Sequence, residues 1–289
     1  MAKHTVLLSI IIPAYNRQEG LDYLLACLSE IICNESVENK VEIIVIDDCS
    51  VAPVKINTPV RIVLARNDEN HGAPYSRHKG FLLSVGSYIH FHDSDDLLGE
   101  KWLSNIIEKL EANPDADLLL TARYDHDNSG QHYKHQKYFH KQSRNPEKVK
   151  SRLIYRNCMG PLGGVTFSRR VLEKLDFKNF SSCQDWQMYL DAIQYAKVLV
   201  SLPDTHFIFN KTGDDRISHN PRKKILGHLQ LAKITAPKSI FKKNIRLFYL
   251  YTCKQHIYNK GGLILAFYKK NRFKIIMTFL VVSVYWRLT

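Results

Sequence analysis

Three features of this 289-residue sequence predict an α/β fold: continuous β-branched runs at 5–13 and 41–47, helix-period stretches between such runs, and carboxylates at the ends of the strand-like runs 41–47 and 87–92. Residues 5–13 read as a strand covered on both faces. A helix follows around Glu19–Ile31, then the strand VEIIVID at 41–47, which makes a βαβ opening. Residues 60–65 give a third strand, Tyr75–Ser84 a helix, and Ser87–His92 a fourth strand that runs directly into Asp93-Ser94-Asp95-Asp96. Ligands of open α/β sheets bind at the carboxyl ends of strands, which is where this acidic run falls.

A helix from Glu100 to Ala112 stops before Asn113-Pro114, as the restriction on residues before proline requires. LLLTARY at 118–124 is strand-like. The polar stretch Asp125–Pro146 reads as a long loop or irregular hairpin near the site. Residues 147–156 suit a helix, and GPLGGVTFS at 160–168 a glycine-rich turn feeding a strand. A helix over Gln184–Ala196 and a strand at 197–201 complete the sheet.

Composition sets the class. With 45% hydrophobic and 24% charged residues the chain is neither disordered nor fibrous. The apolar run Val6–Ile12 is short and ends at Pro13, so it reads as a buried strand and not an export signal, which makes the cytoplasm the expected compartment. Six scattered cysteines form no CxxC pair, and neither a zinc site nor a disulfide framework is expected.

The charge is unevenly placed. Of 41 Lys and Arg, sixteen lie between Arg216 and Thr289, where there is no Asp or Glu; the preceding 215 residues hold 25 basic and 28 acidic side chains. The chain thus divides into a catalytic domain at 1–215 and a basic helical region at 216–289, with amphipathic helices expected in KKILGHLQLAKI and SIFKKNIRLFYLYTCKQHIY. FKIIMTFLVVSVYW at 273–286 is too short to span a bilayer comfortably. It suits an interfacial helix, with Tyr285-Trp286 at the boundary and flanking cations on an anionic membrane surface, although a core helix closing the domain fits it too.

The acidic run carries the chemistry. Asp93 and Asp95 alternate at a strand end and repel each other unless a hard cation, Mg2+ or Mn2+, lies between them. A capped helix start at Asp95 or Asp96 is the plainer reading of the same residues. Asp47-Asp48 ends the second strand in a position to meet a nucleobase or ribose, and Asx-turn chemistry explains Asp-Asp-x-Ser as well. Two acidic clusters that both end sheet strands in one domain tip the balance toward a nucleotide site.

The ordered set SIIIPAYNR (9–17), EIIVIDDCS (42–50), NHGAPYSRHKG (70–80), GSYIHFHDSDD (86–96) and SSCQDWQMYL (181–190) resembles glycosyltransferase family 2 across residues 5 to 215. The resemblance implies the GT-A fold, a mixed, mostly parallel central sheet flanked by helices, and inverting sugar transfer from a nucleotide-diphosphate donor, with UDP-sugars favoured. Pro13 and Tyr15 match positions lining the nucleotide pocket, Asp48 the carboxylate that contacts the base, and Asp93 with Asp95 the DxD motif that holds the divalent cation. Asp185 matches the family's general base, and an N-cap of the helix over Trp186–Ala196 is the plainer reading of the same residue. Gln184 stands where Glu is common, so position 184 is given no titrating role.

Arg77 matches a position that meets phosphate or supports the metal loop, with a solvated helix face as the plain alternative, and His219 falls where a flexible loop closes over the diphosphate or the metal. Trp186 suits either stacking on an acceptor sugar or packing in a helix core. The implied acceptor is a saccharide or lipid-linked saccharide of bacterial surface polysaccharide, reached from the inner face of the cell membrane. Two other readings stand beside this one. A polyprenyl-phosphate sugar synthase shares the DxD chemistry without needing Asp185. A nucleic-acid-binding protein would use the basic tail, but no nucleic-acid motif accompanies it, and no nucleic acid is expected as partner.

Overall fold

The structure is a computed structural model and describes residues 6–126, 134–136, 145–154, 157–180 and 182–210, together with 227, 230, 231 and 234. Its contacts divide the chain into two compact units. One comprises Met1–Leu153, Asn157–Asn179 and Gln184–Asp214; the other comprises Ile154–Arg156, Phe180–Cys183 and Asp215–Thr289.

The first unit opens on the expected alternation. Strand β1 (Leu8–Ala14) is buried along its whole length, which is why its residues other than Ser9 are Leu, Ile, Pro and Ala rather than alternating polar and apolar. Helix α1 (Gln18–Glu35) lays Leu21, Leu24, Leu25, Leu28 and Ile32 against the sheet at helical spacing, and stops at Ser36, which adopts the left-handed conformation. Strand β2 (Val41–Asp47) pairs in parallel with β1 from Leu8 opposite Val41 to Ala14 opposite Asp47. Strand β3 (Ile62–Arg66), helix α2 (Ala73–Leu83) and strand β4 (Tyr88–Phe91) follow, and β4 pairs in parallel with the other side of β1.

The later elements are more mixed. They are β5 (Leu97–Leu98), α3 (Trp102–Glu111), β6 (Leu118–His126), β7 (Lys134–Gln136), α4 (Pro146–Leu153), β8 (Val165–Ser168), α5 (Arg169–Leu172), α6 (Gln184–Ala192) and β9 (Leu199–Asn210). The sheet order is β3-β2-β1-β4-β8-β6-β9-β5, with β7 added to β6. It is parallel from β3 through β4; β8 runs antiparallel to both β4 and β6, while β6 and β9 are again parallel. Because β2 and β4 flank β1 on opposite sides, the chain reverses its winding there and opens a crevice above the carboxyl ends of β1 and β4.

Two expectations change in detail, and a third, the irregular hairpin, is met. The final strand continues to Asn210, far past 201, because the register with β6 shifts between Thr121 and Ala122: Leu202 faces Thr121, and His206 faces Ala122. Pro203-Asp204-Thr205 falls in that irregularity, where a proline costs no ladder bond. Helix α3 begins at Trp102 and has no side-chain cap, so neither Asp95 nor Asp96 caps it. The polar stretch after Asp125 contributes β7, a hairpin partner of β6.

In the second unit Gly227, Gln230, Leu231 and Ile234 have helical backbone within the stretch expected to be helical. Gly227 is pressed so close to Ser182 that a Cβ would lie 2.4 Å from the Ser182 carbonyl oxygen. His219 and the apolar segment 273–286 lie outside the described residues. Among the described residues no helix is long and apolar enough to cross a membrane.

Candidate active site

The crevice floor is a set of loops locked to one another. After β1 the chain turns through a left-handed Asn16, and after β2 through a left-handed Cys49. The Asn16 backbone N–H donates to Ser50 Oγ (2.9 Å) and the Val51 N–H donates to Asn16 Oδ1 (2.9 Å), so the two turns hold each other. Pro13 is buried in β1 and Tyr15 is 46% exposed at the rim. Asn16, Arg17, Tyr23, Val51, Ser94 and Asp95 line an open cleft of about 610 Å³.

Asp47 and Asp48 are both spent on this scaffold. Asp47 accepts from the backbone of Ser50 (2.8 Å) and Val54 (3.2 Å) and from Arg66 Nη1. Burial pushes its pKa up, but the bonds from Ser50, Val54 and Arg66 outweigh burial and hold it below the usual carboxylate range. Asp48 is 3% exposed; its Oδ1 accepts from Asn67 Nδ2 (2.7 Å) and the His71 N–H (3.1 Å), and its Oδ2 from the Gly72 N–H (2.7 Å). It thereby folds the loop between β3 and α2. Gly72 has φ +87°, which an L side chain resists.

The run after β4 forms a turn in which the Asp96 N–H donates to the Asp93 carbonyl (3.1 Å), and Asp96 Oδ1 accepts from the Asn210 N–H (3.1 Å) at the end of β9. The first turn of α1 presses against it: a Cβ on Gly20 would sit 2.9 Å from the Ser94 carbonyl oxygen, so a side chain there collides with the backbone that presents Asp93 and Asp95. Below the turn lie two fully buried histidines. Thr166 Oγ1 sits 3.0 Å from His90 Nδ1, His90 Nε2 3.3 Å from His92 Nδ1, and His92 Nε2 3.3 Å from the Asp96 carbonyl. That carbonyl only accepts, so His92 is protonated on Nε2, its Nδ1 accepts from His90 Nε2–H, and the Thr166 hydroxyl donates to His90. Burial, reinforced by their mutual proximity, drives His90 well below the usual histidine range, and burial takes His92 to about 4. Both rings are neutral struts at neutral pH.

Arg77 of α2 joins the two sides of the site. Its guanidinium, 8% exposed, donates from Nη2 to Asp93 Oδ1 (2.6 Å) and from Nη1 to Gln184 Oε1 (3.2 Å). Its Nε is buried and has no hydrogen-bond partner among the described residues. The reading of Arg77 as a solvated helix face is therefore incorrect: packing under Asp93 buries it. Asp93 keeps a side chain 34% exposed.

Next to Gln184, Asp185 lies in the first turn of α6. Oδ1 accepts from the Trp186 N–H (2.7 Å) and Oδ2 from Asn157 Nδ2 (3.0 Å). Burial raises its pKa to about 6; the Trp186 N–H and the Arg77 charge pull it down, and Asp93 pushes it up. Trp186 itself is buried, and its Nε1–H donates to the Leu153 carbonyl (2.6 Å), so it packs in the core. The structure thus brings Asp93, Arg77, Gln184 and Asp185 together and uses Asp48 as a loop anchor. Asn67 and Asn157 are the site residues the sequence does not flag: each acts on a partner distant in sequence, and Asn has ordinary turn propensity.

Residues 9–176 match the family profile described as Glycosyl transferase family 2. An uncharacterized glycosyltransferase of Haemophilus influenzae is 28% identical over 190 residues, which cover 59% of this chain and 60% of that protein, so the match spans less than two thirds of the relative's length. Among solved structures, S. aureus TarS 1-349 in complex with UDP-GlcNAc superposes with a TM-score of 0.69 at 17% identity, covering 94% of this chain and 79% of that one. The mannosyltransferase PcManGT of Pyrobaculum calidifontis, in complex with GDP-Man and Mn2+, superposes with a TM-score of 0.54 at 14% identity, covering 96% and 85%. These two similarities concern the fold.

Proposed function

This chain belongs to glycosyl transferase family 2 and is a glycosyltransferase of GT-A fold, and from that premise we propose that it inverts the sugar of a nucleotide-diphosphate donor, with UDP-sugars favoured, as it transfers it to a saccharide or lipid-linked acceptor. The observation that carries this reading is the Arg77 bridge, which ties the Asp93 side of the crevice to Gln184, the neighbour of Asp185. Donor and acceptor chemistry need to meet at one point, and here the chain links the groups for each. On the donor side Pro13, Tyr15, Asp93 and Arg77 form the pocket, and Asp48 shapes it through the His71–Gly72 backbone.

A divalent cation fits the donor set. Asp93 commits Oδ1 to Arg77, while its Oδ2 has no hydrogen-bond partner among the described residues; Asp95 lines the adjacent cleft. Asp93 and Asp95 would hold Mn2+ or Mg2+, with His219 as a further candidate, and the ion when bound neutralises charge on the departing diphosphate. The S. aureus and Pyrobaculum structures, one with UDP-GlcNAc and one with GDP-Man and Mn2+, support this choice of ligands.

The step itself is a single displacement. Asp185 takes the proton of the acceptor hydroxyl, the oxygen attacks the anomeric carbon, and the bond to the diphosphate breaks with its electron pair on the leaving group. A base raised to about 6 is ionised at neutral pH, yet basic enough to accept that proton. The acid-free region 216–289 docks the enzyme on an anionic cytoplasmic leaflet, with 273–286 as its interfacial helix, and places it at lipid-linked saccharides of surface polysaccharide. Deleting 272–289 moves the protein from the membrane fraction to the supernatant; a truncated form that still pellets with membranes rejects the docking role.

Calorimetric titration of UDP, with and without Mn2+, tests the core of the proposal. Wild-type protein binds UDP in a metal-dependent way, and the Asp93→Asn/Asp95→Asn double variant loses that dependence. If UDP, GDP and dTDP all fail to bind wild-type protein, the reading is wrong.

A further inference from the structure

We propose that Asn157 is the positioning residue of the general base, holding Asp185 in its proton-accepting form through a side-chain amide whose orientation is fixed by the turn it closes. This inference rests on the reading of Asp185 as base and adds a residue to it. The amide has two N–H bonds and two lone pairs, and all four are engaged. Oδ1 accepts from the Met159 N–H (3.1 Å) and the Gly160 N–H (3.0 Å); Nδ2 donates to the Gly160 carbonyl (2.9 Å) and to Asp185 Oδ2 (3.0 Å). Flipping the amide would face oxygen against two acceptors and nitrogen against two donors, so only one orientation exists. Gly160 at φ +83° lets the turn close this tightly around the side chain.

The consequence for Asp185 is chemical. An ionised carboxylate accepts the Nδ2–H bond at full strength, while a protonated one accepts it weakly or must rotate its own proton away from Asn157. Asn157 therefore favours the ionised base against the burial that disfavours it. The charged groups that bear on Asp185 are Arg77 from α2, which acts in the same direction, and Asp93 from the loop after β4, which opposes it. Being neutral, Asn157 steadies the carboxylate without drawing its proton affinity as low as a salt bridge would. That balance suits a base which must give its lone pair to a hydroxyl proton.

The test measures ionisation of Asp185 directly and needs neither donor nor acceptor. Full-length protein carrying 13C at the aspartate carboxyl carbons is titrated by NMR, with the resonance assigned by its absence in Asp185→Asn. Wild-type protein titrates near about 6. Asn157→Ala raises the midpoint by about one unit. Asn157→Ser, whose hydroxyl still accepts from the Met159 N–H as in an ST-turn but is too short to reach Asp185, raises it by a similar amount; where the alanine variant fails to fold, this variant decides. A midpoint unmoved in a folded variant overturns the proposal and leaves the base assignment intact. The base assignment falls separately, if Asp185→Asn retains wild-type turnover.

Discussion

The aspartates that end β2 and those around the crevice are chemically identical, and their surroundings give them opposite uses. Asp47 and Asp48 each collect three donors, backbone N–H groups among them, and hold the loops that follow β2 and β3. Asp93 accepts from Arg77, and Asp185 from one backbone and one side-chain N–H, so each retains capacity for a ligand. On the proposed function, a carboxylate saturated by its own chain builds the site, and one left partly unsatisfied acts in it. The number of donors, and not the position at a strand end, separates the two roles.

The largest effect that sharpens this contrast is on turnover. Asp185→Asn keeps the volume and the Trp186 contact but removes the base, and transfer falls by about 10²–10⁴-fold while metal-dependent UDP binding is kept. The split between rate and binding is the readout: equal losses in both would put Asp185 among the scaffold residues. Next in size is a stability difference between Asp48→Asn and Asp93→Asn. The first sets an NH₂ group against a buried N–H donor and costs about 1–3 kcal/mol. The second leaves an oxygen for Arg77 and costs less. Thermal melting ranks them, and equal losses would erase the proposed division of labour.

Much of this was legible in the sequence, for physical reasons that also mark where legibility ends. β1, β2 and β4 are covered on both faces, so their apolar runs announce them, and the acidic clusters at their ends follow from the chain's direction. The strand expected at 197–201 falls short of β9, whose Pro203-Asp204-Thr205 is absorbed in a register shift against β6 that only the partner strand reveals. β5 has two residues, too few to show a period. In the site, Asp93 and Asp185 were visible as residue types in motifs. Asn157 was not, because its meaning lies in a bond to a residue 28 positions away. The burial of His90 and His92 is set by Trp102 and Thr166, neither of which is adjacent in sequence.

The smallest effect concerns pH, where the two kinds of group pull against each other. His92 has its folded pKa depressed to about 4, so its contribution to stability is present above the unfolded value of 6.5 and is lost as pH falls from there toward 4. His90 acts in the same direction. Asp185 has the opposite sign: with a folded pKa raised to about 6 it burdens the fold at neutral pH, and the burden lifts as pH falls from 6 toward the unfolded 3.8. Each shift has a ceiling of the order of 3 kcal/mol, and the partial exposure of Asp185 reduces its share to on the order of 1 kcal/mol. Wild-type protein therefore loses less stability between pH 7.5 and 4.5 than the histidines alone dictate, and Asp185→Asn uncovers the rest. Setting an NH₂ group against Asn157 Nδ2 costs the variant stability at every pH, so the readout is the change with pH: the variant falls a few degrees further below wild type at pH 4.5 than at pH 7.5. A gap that stays constant across that range would mean that Asp185 does not titrate there, and it would remove the physical ground for placing it apart from Asp47 and Asp48.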